Sequence, residues 1–245
     1  MKKESKRFWE IDFLRGIAII MMIIFHLLYN LNYFSYIQVN VFIGGWELLG
    51  KITFTLFLFL VGISLSLSAG RRKKEHTFSF YVYLKRGLIL FSWGMIITIA
   101  SYFLIPEAYI KFGILHLIGV AVIISYPFLR FRWTAIIVGA AIIALGIYLQ
   151  GYRFETPYFY WLGITPYHFT ALDHFPIFPY WGIVLIGLGI GNKLYKNFVR
   201  NFPFFDIEKN HLCHFFTFLG RHSLLIYLLH QPLLIVFLLL LQKFT

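Results

Sequence analysis

The stretch IIMMIIFHLLYN, residues 19–30, decides the fold. Through Phe25 it is unbroken hydrocarbon, and then His26 sets an imidazole into it. With its flanks it forms an apolar run over about 13–34, the length that a hydrocarbon core of about 30 Å requires of a helix. Comparable runs recur at about 48–69, 87–105, 111–129, 133–150, 176–195 and 222–242. The chain of 245 residues is 60% hydrophobic and 13% charged, where a soluble domain carries roughly 25% charged residues. These features predict an all-α polytopic membrane protein, a single bundle of about seven transmembrane helices. The basic start MKKESKRFWEIDFLRG runs into a full-length apolar segment with no small-residue cleavage site, so the first helix is expected to be retained. The lone Cys213 has no partner for a disulfide and sits in no metal or redox motif, and no metal is expected.

A net charge of +12 raises the question of nucleic acid, and the placement of the charges answers it. Eighteen of the 22 Lys and Arg residues fall in alternate connections, and only Lys51, Lys111, Arg153 and Lys243 fall in the others. The positive-inside rule accounts for this bias without an anionic polymer. It places the N-terminus in the cytoplasm and the C-terminus outside.

Ionisable groups within a bilayer cost about 2.5–3.5 kcal/mol on insertion scales, so each calls for a partner or a task. His26 lies about 20 Å along the helix from Asp12, in the outer half. His116 in FGILHLIG enters from the outside, and Asp173 and His174 in LDHFPIFPY precede the sixth span at its outer end. Tyr29 and Asn30 follow His26 by about one turn. His230 and Gln231 lie on the last span beside Pro232, whose missing N–H leaves the Leu228 carbonyl unpaired for a ligand or for Gln231. For each a structural reading competes: a buried His bonded to a backbone carbonyl, or Asp173 as a cap on the sixth helix.

The cytoplasmic ends carry a second group. Asp12 and Arg15 are spaced to pair on one helix face, Arg86 opens the third span, and Arg221, His222 and Ser223 open the last. Snorkelling anchors explain Arg71–Lys74. Arginines around a pocket near the inner face suit a phosphate-bearing ligand, because the guanidinium fork matches phosphate oxygens. The connection between spans five and six, GYRFETPYFYWLGITPYHFTALDHFPIFPYW, is dense in aromatic residues and reads either as an interfacial belt or as a lid over an outer cavity. The inner segment KLYKNFVRNFPFFDIEKNHLCHFF reads as an amphipathic surface segment.

In order along the chain, EIDFLRGIAIIMMIIFHLLYNLNYF, FLFLVGISLSLS, YLKRGLIL, FGILHLIGV, DHFPIFPYWGIVLIGLGIG and FLGRHSLLIYLLHQP resemble the bacterial branch of the heparan-alpha-glucosaminide N-acetyltransferase catalytic domain family. The resemblance covers about residues 8–240 and implies one transmembrane acyltransferase domain over 1–245 in the plasma (inner) membrane. It implies transfer of an acetyl or other acyl group from cytosolic acyl-CoA to a sugar or other hydroxyl or amine of the cell envelope at the outer face, a carbohydrate modification.

By position, Asp12 and Arg15 match the family's DxxRG opening, and His26 matches the place where related acyltransferases keep a catalytic His. His116, Asp173, Arg221, His222, His230 and Gln231 match further motif positions. Lysosomal members carry a His in the outer loop after the first helix, whereas residues 31–50 here contain none. On this reading His26, Asp173 and His116 are the catalytic candidates. Asp12, Arg15, Arg86, Arg221, His222 and Ser223 face the acetyl-CoA donor, and Tyr29, Asn30, His174, His230 and Gln231 face the acceptor. His26 acts either as general base on the acceptor or as the carrier of a covalent acetyl group, the first being favoured as needing only one placed base. The rivals are a transporter or permease lined by the same His and Asp residues and a non-catalytic partner in envelope assembly. The residues leave a homo-oligomeric state open.

Overall fold

The computed structural model describes residues 8–155, 157–203 and 210–243. Their elements are α1 (Trp9–Tyr33), α2 (Gly44–Lys74), α3 (Phe80–Leu104), α4 (Ile114–Ile124), α5 (Arg132–Leu149), α6 (Ile177–Leu194), α7 (His211–Arg221) and α8 (Ser223–Gln242). All but α4 and α7 are long and apolar enough to cross a membrane. Arg71–Lys74 close α2, where cations complement the helix dipole, so that helix runs on past its apolar stretch.

The fourth expected span differs from the rest. α4 has only 11 residues and continues as a 3-10 turn over Tyr126–Arg130. Pro127 has no N–H to give the Ile123 carbonyl, which stops the α-helix. Yet the segment runs the length of its neighbour. Near its start the Ile110 N–H donates to Ser101 Oγ, and at its far end the Tyr126 ring lies 5.1 Å from that of Phe80. Ser101 and Phe80 are separated by about 32 Å of α3. Gly87 and Gly119 allow the two backbones to meet, since a Cβ on either would stand 2.6–2.7 Å from the other's carbonyl oxygen. Six helices are therefore long and apolar enough to cross where seven were expected, and the fourth run lies along α3 as a shortened α-helix with a 3-10 extension.

The described chain divides into two compact units, one holding the residues up to Leu60 with those from Asn210 onward, the other Val61–Pro203. In the first, α7 runs antiparallel along the start of α1. Gly16 meets the Phe216 carbonyl and Gly220 meets the Asp12 carbonyl, both too closely for any side chain. α8 then runs parallel to α1, with the Tyr36 hydroxyl bonded to the Leu238 carbonyl at 3.2 Å. The amphipathic segment expected at the surface therefore includes a helix whose Cys213, Thr217 and Gly220 are buried, while Leu212, Phe215 and Phe218 remain exposed.

In the second unit α5 and α6 pack antiparallel through Gly139, Gly146, Gly182 and Gly189, small residues that let helix backbones approach. The inner part of α2 lies on α6, with Gly62 against the Val184 carbonyl and Gly191 against Ser66. Ser66 donates to Asn192 Oδ1 at 2.7 Å, and Asn192 donates to the Leu129 carbonyl at 3.2 Å, which ties the 3-10 turn to α6.

The aromatic connection before α6 holds a two-residue parallel strand pair, Arg153–Phe154 with Thr165–Pro166, and a 3-10 turn over Pro157–Leu162. Phe169 stacks on Tyr160 and contacts His174, and Lys111 lies 4.8 Å above the Phe169 ring. Residues 170–175 are stitched to 107–114: Thr170 Oγ1 donates to the Glu107 carbonyl, the Leu172 N–H to Ala108 and the Phe175 N–H to Phe112. Tyr158 and Tyr167 project outward, 74% and 69% exposed, as belt residues would.

Candidate functional site

In the first unit two histidines from different helices meet. His26 on α1 and His230 on α8 stand edge to face with ring centroids 4.8 Å apart. Each Nδ1 lies against a backbone carbonyl of its own helix, His26 on Met22 at 2.9 Å and His230 on Tyr227 at 2.6 Å. A carbonyl only accepts, so both Nδ1 atoms carry the proton and both neutral rings present Nε2 as a bare lone pair. The Nε2 of His230 is buried and without a partner among the described residues. An orphaned buried acceptor costs about 1–3 kcal/mol and calls for a donor from elsewhere.

One turn along, Asn30 and Gln231 join α1 to α8 as reciprocal amides. Gln231 Nε2 donates to Asn30 Oδ1 at 3.0 Å, and Asn30 Nδ2 donates to Gln231 Oε1 at 3.4 Å. The Leu228 carbonyl freed by Pro232 is therefore not what holds Gln231. Tyr29 stacks on Tyr33 and meets the edge of Phe42. Phe42 borders an open depression of about 480 Å³ whose polar lining is Asn32, Ser35, Gln38 and Asn40. Asn32 is six residues beyond His26, about 9 Å along the helix. Phe25, whose ring a Cβ at Gly50 would meet at 2.9 Å, packs against the ring of His26.

At the opposite end of α1, Asp12 sits between two guanidiniums, 3.1 Å from Arg15 Nη1 and 3.6 Å from Arg221 Nε. Two positive charges share one carboxylate. The turn from α7 to α8 sets Arg221 there, and His222 bonds back to the Phe218 carbonyl at 2.9 Å with its ring exposed. Ser223 begins α8. Arg86 lies on α3 in the second unit.

The second unit holds His116, Asp173 and His174. His116 is 2% exposed, between the rings of Phe91 and Phe112 and against Gly94. Its Nδ1 accepts the Gly113 N–H at 3.2 Å, closing the first turn of α4, and its Nε2 lies 3.5 Å from Thr98 Oγ1, which itself donates to the Ile110 carbonyl. Both ring nitrogens thus have local partners. Asp173 caps a helix, though not the one the sequence suggested: its Oδ2 accepts the N–H of Ile114 at the start of α4, while the residue before α6 is Pro176. Burial pushes the Asp173 carboxyl up to about 6, against which the Ile114 N–H acts. Burial lowers His174, the bond from its Nε2 to the Tyr160 carbonyl opposes this, and Lys111 adds to it.

Sequence reasoning singled out the residues of both groups but not their supports. Met22, Tyr227, Thr98 and Gly113 fix ring orientation through backbone or hydroxyl atoms. The only forewarning in the sequence is the i−4 and i−3 spacing, which belongs to every helix.

Residues 7–232 match the family model described as heparan-alpha-glucosaminide N-acetyltransferase, catalytic. No curated protein and no solved structure was found to match the chain.

Proposed function

The chain belongs to the heparan-alpha-glucosaminide N-acetyltransferase catalytic family, and on that premise we propose that it moves an acetyl group from cytosolic acetyl-CoA to a hydroxyl or amine at the outer face, with His26 as general base. Membership makes it a membrane acetyltransferase of an acetyl-CoA-dependent family; the route, the acceptor class and the residues are our reading. One observation carries it. His26 and His230 lie side by side with their Nδ1 protons committed to carbonyls, so that each Nε2 is an available base or acceptor.

In the direct reaction His26 Nε2 takes the proton of the acceptor X–H as X attacks the thioester carbonyl. The C–S bond then breaks, and the departing CoA thiolate takes up a proton, so His26 is restored. His230 Nε2 accepts a second hydrogen bond from the acceptor and orients it. A neutral imidazole with a free Nε2 is the form a general base requires. The depression beyond Tyr29 supports a sugar acceptor, since its volume and amide lining suit a small polar ring. Asp12, Arg15 and Arg221, with His222 and Ser223, form the donor's cytoplasmic contacts in the first unit. Gln231 and Asn30 hold α8 to α1 and so maintain the spacing of the two rings. Asp173 and His116 hold the start of α4 within the second unit, and His174 holds the aromatic connection at Tyr160.

The test is acetyl transfer or hydrolysis from labelled acetyl-CoA, counted per folded molecule. His26→Ala should leave CoA binding intact and lower turnover by about 10² to 10⁴-fold, the usual contribution of a positioned base. His26→Gln should not restore it. Turnover near that of the unaltered protein in the folded alanine variant would make His26 structural, and a protein that binds no acetyl-CoA would return the transporter reading.

A further inference from the structure

A polar cluster in the second unit holds a buried hydroxyl that none of the steps above uses. Ser68 and Arg72 are one turn apart on α2, and Tyr83 and Arg86 are one turn apart on α3, across the short connection that follows Lys74. Tyr83 is 1% exposed and its hydroxyl is buried with no hydrogen bond of normal geometry. Ser68 lies beside that hydroxyl, and Arg72 and Arg86 are its charged neighbours. The two guanidiniums also act on each other, and neither forms an ion pair among the described residues. This sets them apart from Arg71, which is paired with Glu75 at 2.9 Å. The walls are aromatic: Tyr126 stands 5.6 Å and Phe78 6.0 Å from the Tyr83 ring, and Arg130 caps Phe78 at 4.7 Å.

A snorkelling anchor carries its charge into water and needs no neighbour. Here two like charges flank a buried hydroxyl whose one polar neighbour is Ser68, with no carboxylate paired to either among the described residues. Arg86 is exposed enough to meet a ligand. Such an arrangement lacks one thing, an anion with several acceptor oxygens. A phosphate group supplies both the charge and the acceptors, and it matches the guanidinium fork.

We propose that Tyr83, Ser68, Arg72 and Arg86 form a phosphate-ester site at the junction of α2 and α3. The group comes either from the acyl donor, in which case the site deepens the proposed function and rests on it, or from an anionic lipid headgroup. Tyr83 donates its hydroxyl to a phosphate oxygen, and the arginines neutralise the charge.

The experiment uses the full-length protein in an uncharged detergent, with Tyr83→Phe and Arg72→Gln variants. CoA is titrated calorimetrically into each, and the thermal midpoint is read with and without added phosphatidylglycerol. Binding of CoA to the unaltered protein comes first, and its absence would sink the donor reading by itself. If the donor fills the site, Arg72→Gln raises the CoA Kd about tenfold and Tyr83→Phe several-fold, while the ligand-free midpoint of Tyr83→Phe stays equal or rises because an orphaned hydroxyl is gone. If lipid fills it, CoA affinity is unchanged but the rise in midpoint with phosphatidylglycerol is lost in both variants. CoA affinity and lipid response both matching the unaltered protein, in folded variants, would overturn the site.

Discussion

At position 26 an imidazole in hydrocarbon is made tolerable by its own helix, since the Met22 carbonyl takes one ring proton and leaves the other nitrogen bare. His116 solves the same problem differently, using both nitrogens within its own unit. That contrast, one nitrogen left bare against two partnered ones, was not legible in the sequence, where both read as lone histidines in apolar runs. Asp173 was legible as a cap but was given the wrong helix, because its partner Ile114 is 59 positions away. Its burial has a measurable consequence. With burial raising its carboxyl from the ordinary aspartate value of 3.8 to about 6, the folded state binds more protons than the unfolded one between those values. Stability therefore falls as pH rises through that window. Asp173→Asn keeps an acceptor for Ile114 without the ionisation. Relative to the unaltered protein it should be less affected by raising the pH from 4 to 6, by up to about 3 kcal/mol, with His174 common to both. Parallel pH profiles of the two thermal midpoints would contradict the buried carboxyl.

Among the elements, the six long spans followed from run length alone, and α4 fell short for a reason visible in ISYPFLR, where Pro127 ends the hydrogen-bonded ladder. Helix α7 was half legible. Its amphipathicity was evident, but the glycines at 16 and 220 show their purpose only when α1 and α7 are seen to touch. They bring the Gly220 backbone onto Asp12 and thereby place Arg221 at the Asp12 carboxylate. A side chain at 220 must push α7 away. Gly220→Val should cost about 1–3 kcal/mol of stability, the usual range for overpacking, and weaken CoA binding in the fraction that remains folded. Gly45→Val is the control, since no atom lies within 4 Å of where its Cβ would be. Equal midpoints for the two variants would refute the close approach.

For the molecule as a whole, the charge bias of the connections sets a direction, and helix directions within each unit agree with alternate crossings. α1 and α8 run parallel, α3 and α4 antiparallel, and α5 and α6 antiparallel. That much was readable from hydropathy and Lys and Arg placement. Which side chains gather around a substrate was not, because helix contacts depend on facing that a run of leucines does not encode. The central claim is that donor and acceptor approach from opposite faces, and sealed vesicles of known orientation test it most directly. Labelled acetyl-CoA is added outside inverted and right-side-out vesicles carrying the unaltered protein, with His26→Ala vesicles as the blank. The account predicts transfer from external acetyl-CoA to acceptors enclosed in inverted vesicles, none from external acetyl-CoA in right-side-out vesicles until they are permeabilised, and none above blank with His26→Ala. Transfer in intact right-side-out vesicles, or at an undiminished rate in the alanine variant, would contradict it.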